Sequence, residues 1–363
     1  MEYRSLAISF RIQLGFHAAN NEGAGGTNVM EPRRITVGDR EYDGISGEII
    51  RHHILEHFVK LCQDNGVNLH PRCQGLVPDR GKEPVKDWIH NNSQKLPKRK
   101  VQNKELPLLD PPHYPELTEN LLQNCALCDI GGYLIALEAS DNAQGTLKRD
   151  SCFEVGWLIT EHPAVVDYTQ HSAYDPDPEK HNLFVQNMRT GIYGGVLRID
   201  LDRIGFNDWW WLKEESQQQD KLGEGTQQQE RSEQQKQDVR YAINEQERKK
   251  RIRLLLQAIR HWLMSPSFAK QAGWLQHMSG LLEGVIVLSK DGPAPFYSPI
   301  RFELEEGDPN KPFIKPNPQY REMLNKVKEQ CGDTLEVYCF DSPDQLKKYF
   351  LEIEGKFATG EGH

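Results

Sequence analysis

His70-Pro71-Arg72-Cys73 and Cys125-Ala126-Leu127-Cys128 are the residues of this chain whose types and spacing speak most directly of chemistry. A two-residue gap lets both members of a pair reach one ion, and an imidazole with three thiolates suits tetrahedral zinc. Because 51 residues separate the pairs, the ion would staple a polar insertion to the body of the protein. No fifth group suggests an open catalytic position, so the expected cofactor is structural zinc. The other reading of Cys128 is a buried small residue at the start of a strand. His52, His53, Glu56 and His57 also fall close together, but without the His-Glu-x-x-His order of a hydrolytic metal helix. Asp39 and Asp43 stand in an early loop with no neighbouring acid or base to single either out as a catalytic group. These residues point to binding and not to an enzyme.

A second constellation suits phosphate. A glycine-rich turn, NNEGAGGTNVM, precedes Arg33 and Arg34, and Asp43-Gly44-Ile45-Ser46-Gly47-Glu48 opens a helix that carries Arg51. Backbone N–H groups at such a turn, with the positive end of a helix and nearby guanidinium groups, can hold a sugar-phosphate chain whatever its bases. Ser46 and Gly47 read equally as an ordinary helix cap, and Arg33 and Arg34 as solvated hairpin residues.

Charge sharpens the picture. The net charge of −9 speaks against nucleic acid, but residues 1–104 hold 16 Lys/Arg against 12 Asp/Glu, and the remainder 28 against 41. Arg72 to Lys104 alone carries nine basic and three acidic residues. That stretch is either one basic face on an acidic body or a solvated lysine-rich loop. Seven cysteines at loose spacing argue for reduced thiols, and no leader or apolar run long enough for a membrane stands out, so a cytoplasmic protein is expected.

The elements that must position these groups alternate. Leu6–Phe16 puts Ile8, Phe10, Ile12 and Leu14 on one face and reads as a first strand; Arg33–Tyr42 reads as a hairpin. Ile49, Ile50, Ile54, Leu55, Phe58 and Leu61 fall at helical spacing up to Gly66. Val67–Pro115 breaks the pattern and reads as an insertion. Leu117–Leu137 resumes a helix or helix-turn-strand, and Ser151–Thr160 and Tyr193–Leu201 read as strands around a protrusion of some thirty residues. Lys213–Asp238 is a glutamine-rich tract that cannot build a core. Tyr241–Met264 is amphipathic, Leu281–Leu288 a fourth strand, and a helix, a strand and a helix close the chain.

Strand, helix, two strands, helix, strand is the order of an α+β, modified ferredoxin-like (RRM) fold. The run Asn20 through Arg51, Cys128-Asp129-Ile130-Gly131-Gly132-Tyr133, Met188-Arg189-Thr190-Gly191-Ile192-Tyr193 and Ala269-Lys270-Gln271-Ala272 occur in this order. Together they resemble the backbone subunit of the type I CRISPR Cascade complex: the seventh Cas protein family, DevR type, of the RAMP superfamily, in an I-B or I-A like system. The resemblance covers residues 1–210 and 240–290.

The resemblance implies a palm with finger, thumb and helical insertions. Its halves and insertions would be 1–66 palm, 67–116 fingers, 117–160 palm, 161–190 thumb, 191–212 palm, 213–240 flexible insertion, 241–293 palm and 294–363 a C-terminal extension. It further implies copies of the chain filed along a guide RNA (crRNA), which is held by Asn20, Asn28, Arg33, Arg34, Ser46, Gly47, Arg51, Met188, Arg189 and Lys270. Met188 is otherwise a core residue, and Arg189 and Lys270 otherwise surface charges. The partners implied are guide RNA, target DNA, other copies, and the large, small and fifth-Cas-family subunits. A type III-like ribonuclease and a stand-alone zinc-containing regulator remain the alternatives.

Overall fold

The computed structural model describes residues 2–19, 21–23, 29–77, 81–101, 104–163, 166–173, 182–212, 240–267, 281–306 and 308–358. Along the chain these form β1 (Ser5–His17), β2 (Asn21–Gly23), β3 (Val29–Pro32), β4 (Arg34–Val37), β5 (Arg40–Ile45), α1 (Gly47–Asp64), α2 (Pro71–Gln74), α3 (Lys82–Asn92), β6 (Lys98–Val101) and β7 (Lys104–Pro107). There follow α4 (Tyr114–Asn124), α5 (Ala126–Gly131), β8 (Tyr133–Leu137), β9 (Gly145–Arg149), β10 (Phe153–Val155), β11 (Leu158–Thr160), β12 (Val166–Ala173) and β13 (Asn182–Asp200). The last are α6 (Glu245–Met264), β14 (Leu282–Ser289), β15 (Ile300–Glu305), β16 (Asp308–Pro316), α7 (Tyr320–Cys331), β17 (Leu335–Phe340) and α8 (Pro343–Lys356). The glutamine-rich tract, Asn20, Asn28 and Lys270 lie outside the described residues.

Two compact units divide the chain, one of residues 1–57, 154–200 and 256–356, the other of 58–153, 201–255 and 357–363. The first holds the main sheet, in the order β17-β14-β1-β13-β11-β5-β4. Its central four strands, β14-β1-β13-β11, are antiparallel neighbours. Counted as first to fourth in the expected βαββαβ order, they stand 4-1-3-2, the ferredoxin-like arrangement.

Leu6, Ile8, Phe10, Ile12 and Leu14 of β1 are all fully buried, as their alternation requires. The intervening Ser5, Ala7 and Ser9 are buried too. The reason for their small size is α7: Ala7 packs with Val285, Val287, Tyr320, Leu324 and Leu335, so the sheet is covered there as well. The closing strand β17, expected in an extension, instead pairs with β14 from Gly284↔Phe340 to Ser289↔Leu335 and becomes a sheet edge. Within the protrusion the described residues pair β12 antiparallel to β13 from Val166↔Arg189 to Ala173↔Asn182, and β3 runs parallel to β13 at Val185 and Gln186.

The second unit contains the insertion, whose described residues form α2, α3 and the paired β6 and β7. It also takes most of the stretch expected as palm at 117–160. Among the described residues β8 and β9 pair with each other and not with the main sheet.

Candidate nucleic-acid interface and metal-ligand cluster

In the second unit, each two-residue gap spans the cap and third position of a short helix. His70 caps α2 and Cys73 follows on it; Cys125 caps α5, accepting a hydrogen bond from the Cys128 amide at 3.5 Å. The Ala126 amide donates to the Asn68 carbonyl at 2.9 Å and holds the two segments together. The four side chains converge, with ligand atoms all within 4.8 Å of one another. Cys73 Sγ is 3.6 Å from Cys128 Sγ, which is 3.6 Å from His70 Nδ1.

Hydrogen bonds from Cys128, and then from Cys73 and His70, hold the Cys125 thiol well below its ordinary range, while contacts with Cys125 and Cys73, and burial, raise Cys128. Three thiols so close cannot all ionise in a buried place without a cation. Burial above all, against the pull of nearby arginines, pushes Cys62 and Cys152 up to about 12, which marks them as inert core residues.

Beside Cys128, Asp129 is a hub, signalled in the sequence only as a carboxylate inside the apolar run ALCDIGGY. Its carboxylate accepts from Arg149 Nη2 at 2.8 Å, Arg251 Nη1 at 3.0 Å and the Gly205 amide at 2.9 and 3.0 Å. All three side chains are buried. Gly132 follows with φ +67, and a Cβ there would meet the Arg149 carbonyl at 2.5 Å, so glycine alone fits the turn.

The basic stretch is partly spent: Lys82 and Lys86 pair with Asp141, and Arg72 with Glu83. Lys98, Arg99, Lys100 and Lys104 differ. All four stand exposed on the β6–β7 hairpin, and among the described residues none of them enters an ion pair.

In the first unit the residues expected on phosphate hold internal partners. Arg33 lies 4.8 Å over the Trp157 ring, Arg34 pairs with Glu41, and Arg51 bonds Glu48 at 2.5 Å. Ser46 is the cap of α1, its Oγ accepting from the Ile49 amide at 3.4 Å. A Cβ on Gly47 would sit 1.9 Å from the Val155 carbonyl, so this glycine admits the β10 backbone; Ser46 and Gly47 are both buried. The reading as a cap is therefore the one the geometry matches. Met188 is buried as well.

Arg189, expected at the surface, is 1% exposed and ion-paired with Asp43, itself 1% exposed. Burial lowers the Arg189 guanidinium and raises the Asp43 carboxyl, each against the pull of the other's charge. The Tyr193 hydroxyl donates to the other Asp43 oxygen, and the Asp43 amide donates to Thr160 Oγ1 at 3.0 Å. His17 enters at a register shift in β1, with Nε2 2.7 Å from the Tyr193 hydroxyl. Its Nδ1 accepts from the Ala19 amide at 3.4 Å, so the proton resides on Nε2 and is given to Tyr193. Asp43 is thus enclosed, whereas Asp39 is exposed on the hairpin turn, 3.8 Å from Arg40 Nε.

Burial, and then Arg189, lower His17 from 6.5 to about 3. Below about pH 6.5 the unfolded chain takes a proton that the folded one refuses, so stability is whole above that pH and falls with acidification towards 3. At pH 5 the loss is about 2 kcal/mol. His17→Gln should flatten the fall between pH 6.5 and 4.5 in urea titrations, where Asp43 acts alike in both proteins. An equal slope in the two would refute a neutral His17.

The antiparallel 4-1-3-2 sheet and its helices define an α+β, RAMP-like fold. Residues 8–305 match the family model described as CRISPR-associated negative auto-regulator DevR/Csa2, and the chain belongs to that family. No curated protein sequence matches the chain. Among solved structures it is similar to a chain of a CRISPR RNA-guided surveillance complex, with 10% identity, TM-score 0.41 and coverage of 96% of this chain and 99% of that one. A second, titled CRISPR RNA-guided surveillance complex, pre-nicking, has 13% identity with the same score and coverage. Among the described residues no helix is long and apolar enough to cross a membrane.

Proposed function

We propose that this DevR/Csa2 chain is the guide-RNA-binding backbone subunit of a type I, Cascade-type surveillance complex. Copies would file along the spacer and present its bases to target DNA, in company with the large, small and fifth-Cas-family subunits. The observation that carries the binding is the β6–β7 hairpin, where Lys98, Arg99, Lys100 and Lys104 stand exposed without an ion-pair partner among the described residues. Phosphates are the natural counter-charge for such a group, and contacts of this kind track the backbone and ignore the bases. The chain binds RNA without cutting it. Asp43 is enclosed by Arg189 and Tyr193 and out of a substrate's reach, which supports this reading.

Protein purified from cells that express guides should carry short RNAs of uniform length. Alanine at all four hairpin positions should weaken binding to single-stranded RNA of any sequence. The slope of log K against log salt should become shallower by about 2.8, or ~0.7 for each phosphate no longer neutralised. An unchanged slope would remove the hairpin from the interface. Cuts at regular intervals in a complementary RNA, abolished by Asp39→Ala, would make the chain a ribonuclease instead.

A further inference from the structure

We propose that His70, Cys73, Cys125 and Cys128 hold one zinc ion as a closed, structural site that anchors the short helix α2. The sulfur–sulfur spacing is telling. A tetrahedron with zinc–sulfur bonds of about 2.3 Å has edges of about 3.8 Å, and Cys73 and Cys128 stand 3.6 Å apart. That is far beyond a disulfide bond of about 2.05 Å. Three thiolates and an imidazole complete four-coordination with soft ligands, which favours zinc over hard cations and leaves no position for a substrate.

The surroundings show what the ion would do. The only buried residue of α2 is Cys73, so no apolar side chain of this four-residue helix holds it in place. A helix so short does not persist on its own hydrogen bonds. Leu76, just beyond it, has φ +53, in the left-handed region that a leucine enters only under external constraint. The Leu76 amide donates to the Cys73 carbonyl at 3.2 Å, so the constrained turn closes on a ligand residue. An ion bound by Cys73 and His70 from one side and by Cys125 and Cys128 from the other supplies the missing anchor. This is separate from RNA binding, which the β6–β7 hairpin carries.

Elemental analysis of full-length protein, purified under reducing conditions without chelators, should find about one zinc per chain. Cobalt exchanged into the site should give the strong visible absorption of a tetrahedral thiolate complex. Cys125→Ser with Cys128→Ser should abolish both signals. Should that variant not fold, His70→Ala, which keeps all three thiols, should still bind cobalt but more weakly, and in wild-type protein a chelator should lower the melting temperature reversibly. Folded, reduced wild-type protein with neither zinc nor a cobalt spectrum would overturn the proposal. So would metal content that survives Cys73→Ser and the double serine variant unchanged.

Discussion

Asp129→Ala should destabilise the second unit by about 3–5 kcal/mol, the usual effect of removing one member of a buried ion pair. The carboxylate lies at 0% exposure between the guanidinium groups of Arg149 and Arg251 and also accepts the Gly205 amide. Each arginine keeps a second carboxylate, Asp208 for Arg149 and Glu247 for Arg251, but both of those are partly solvated and cannot replace a shared, enclosed partner. The Gly205 amide would be left without its acceptor as well. Asp129→Asn separates the contributions: it keeps the shape and an acceptor and removes the charge, so its loss should fall between zero and that of alanine. Equilibrium urea unfolding, followed by far-UV circular dichroism, measures both. A loss below about 1 kcal/mol for the alanine variant would mean that Asp129 is not the centre of the network.

Much of the main sheet was legible because its signals are local. Alternation in β1 revealed the strand, and the helical spacing from Ile49 to Leu61 revealed α1, because burial of one face leaves a period in the sequence. The partner of a strand leaves no such trace. β17 joining β14 is a pairing across some fifty residues, and nothing in Thr334–Cys339 says which edge it will find. That the two His/Cys pairs cluster was legible because a two-residue gap brings the cap and third position of a short helix to the same side. The buried charges have the composition of a surface: Arg189 and Asp43 owe their burial to each other, and Asp129 owes its own to Arg149 and Arg251. A carboxylate inside the apolar run ALCDIGGY was the one signal available. The hairpin cations were visible as a charge run, but only the fold shows which of them lack a carboxylate partner.

Arg189→Met should likewise cost about 3–5 kcal/mol, because it strands the Asp43 carboxylate in an enclosed place with only the Tyr193 hydroxyl and backbone donors. The pair ties β13, where the β12–β13 ribbon begins, to β5, and through Tyr193 and His17 to β1. Adding Asp43→Leu to Arg189→Met removes both charges and should recover most of the loss, since replacing a buried pair with apolar side chains is often neutral. That recovery distinguishes an internal clamp from a nucleic-acid contact. A clamp predicts that the double variant, once folded, binds single-stranded RNA with an unaltered salt dependence. If Arg189 instead swings outward onto RNA, the single variant would lose little stability, and both variants would show a slope of log K against log salt shallower by about 0.7. Thermal unfolding and salt-dependent binding on the same preparations decide between them. The enclosed geometry predicts the first outcome, in which Arg189 shapes the base of the ribbon and the phosphates are met elsewhere.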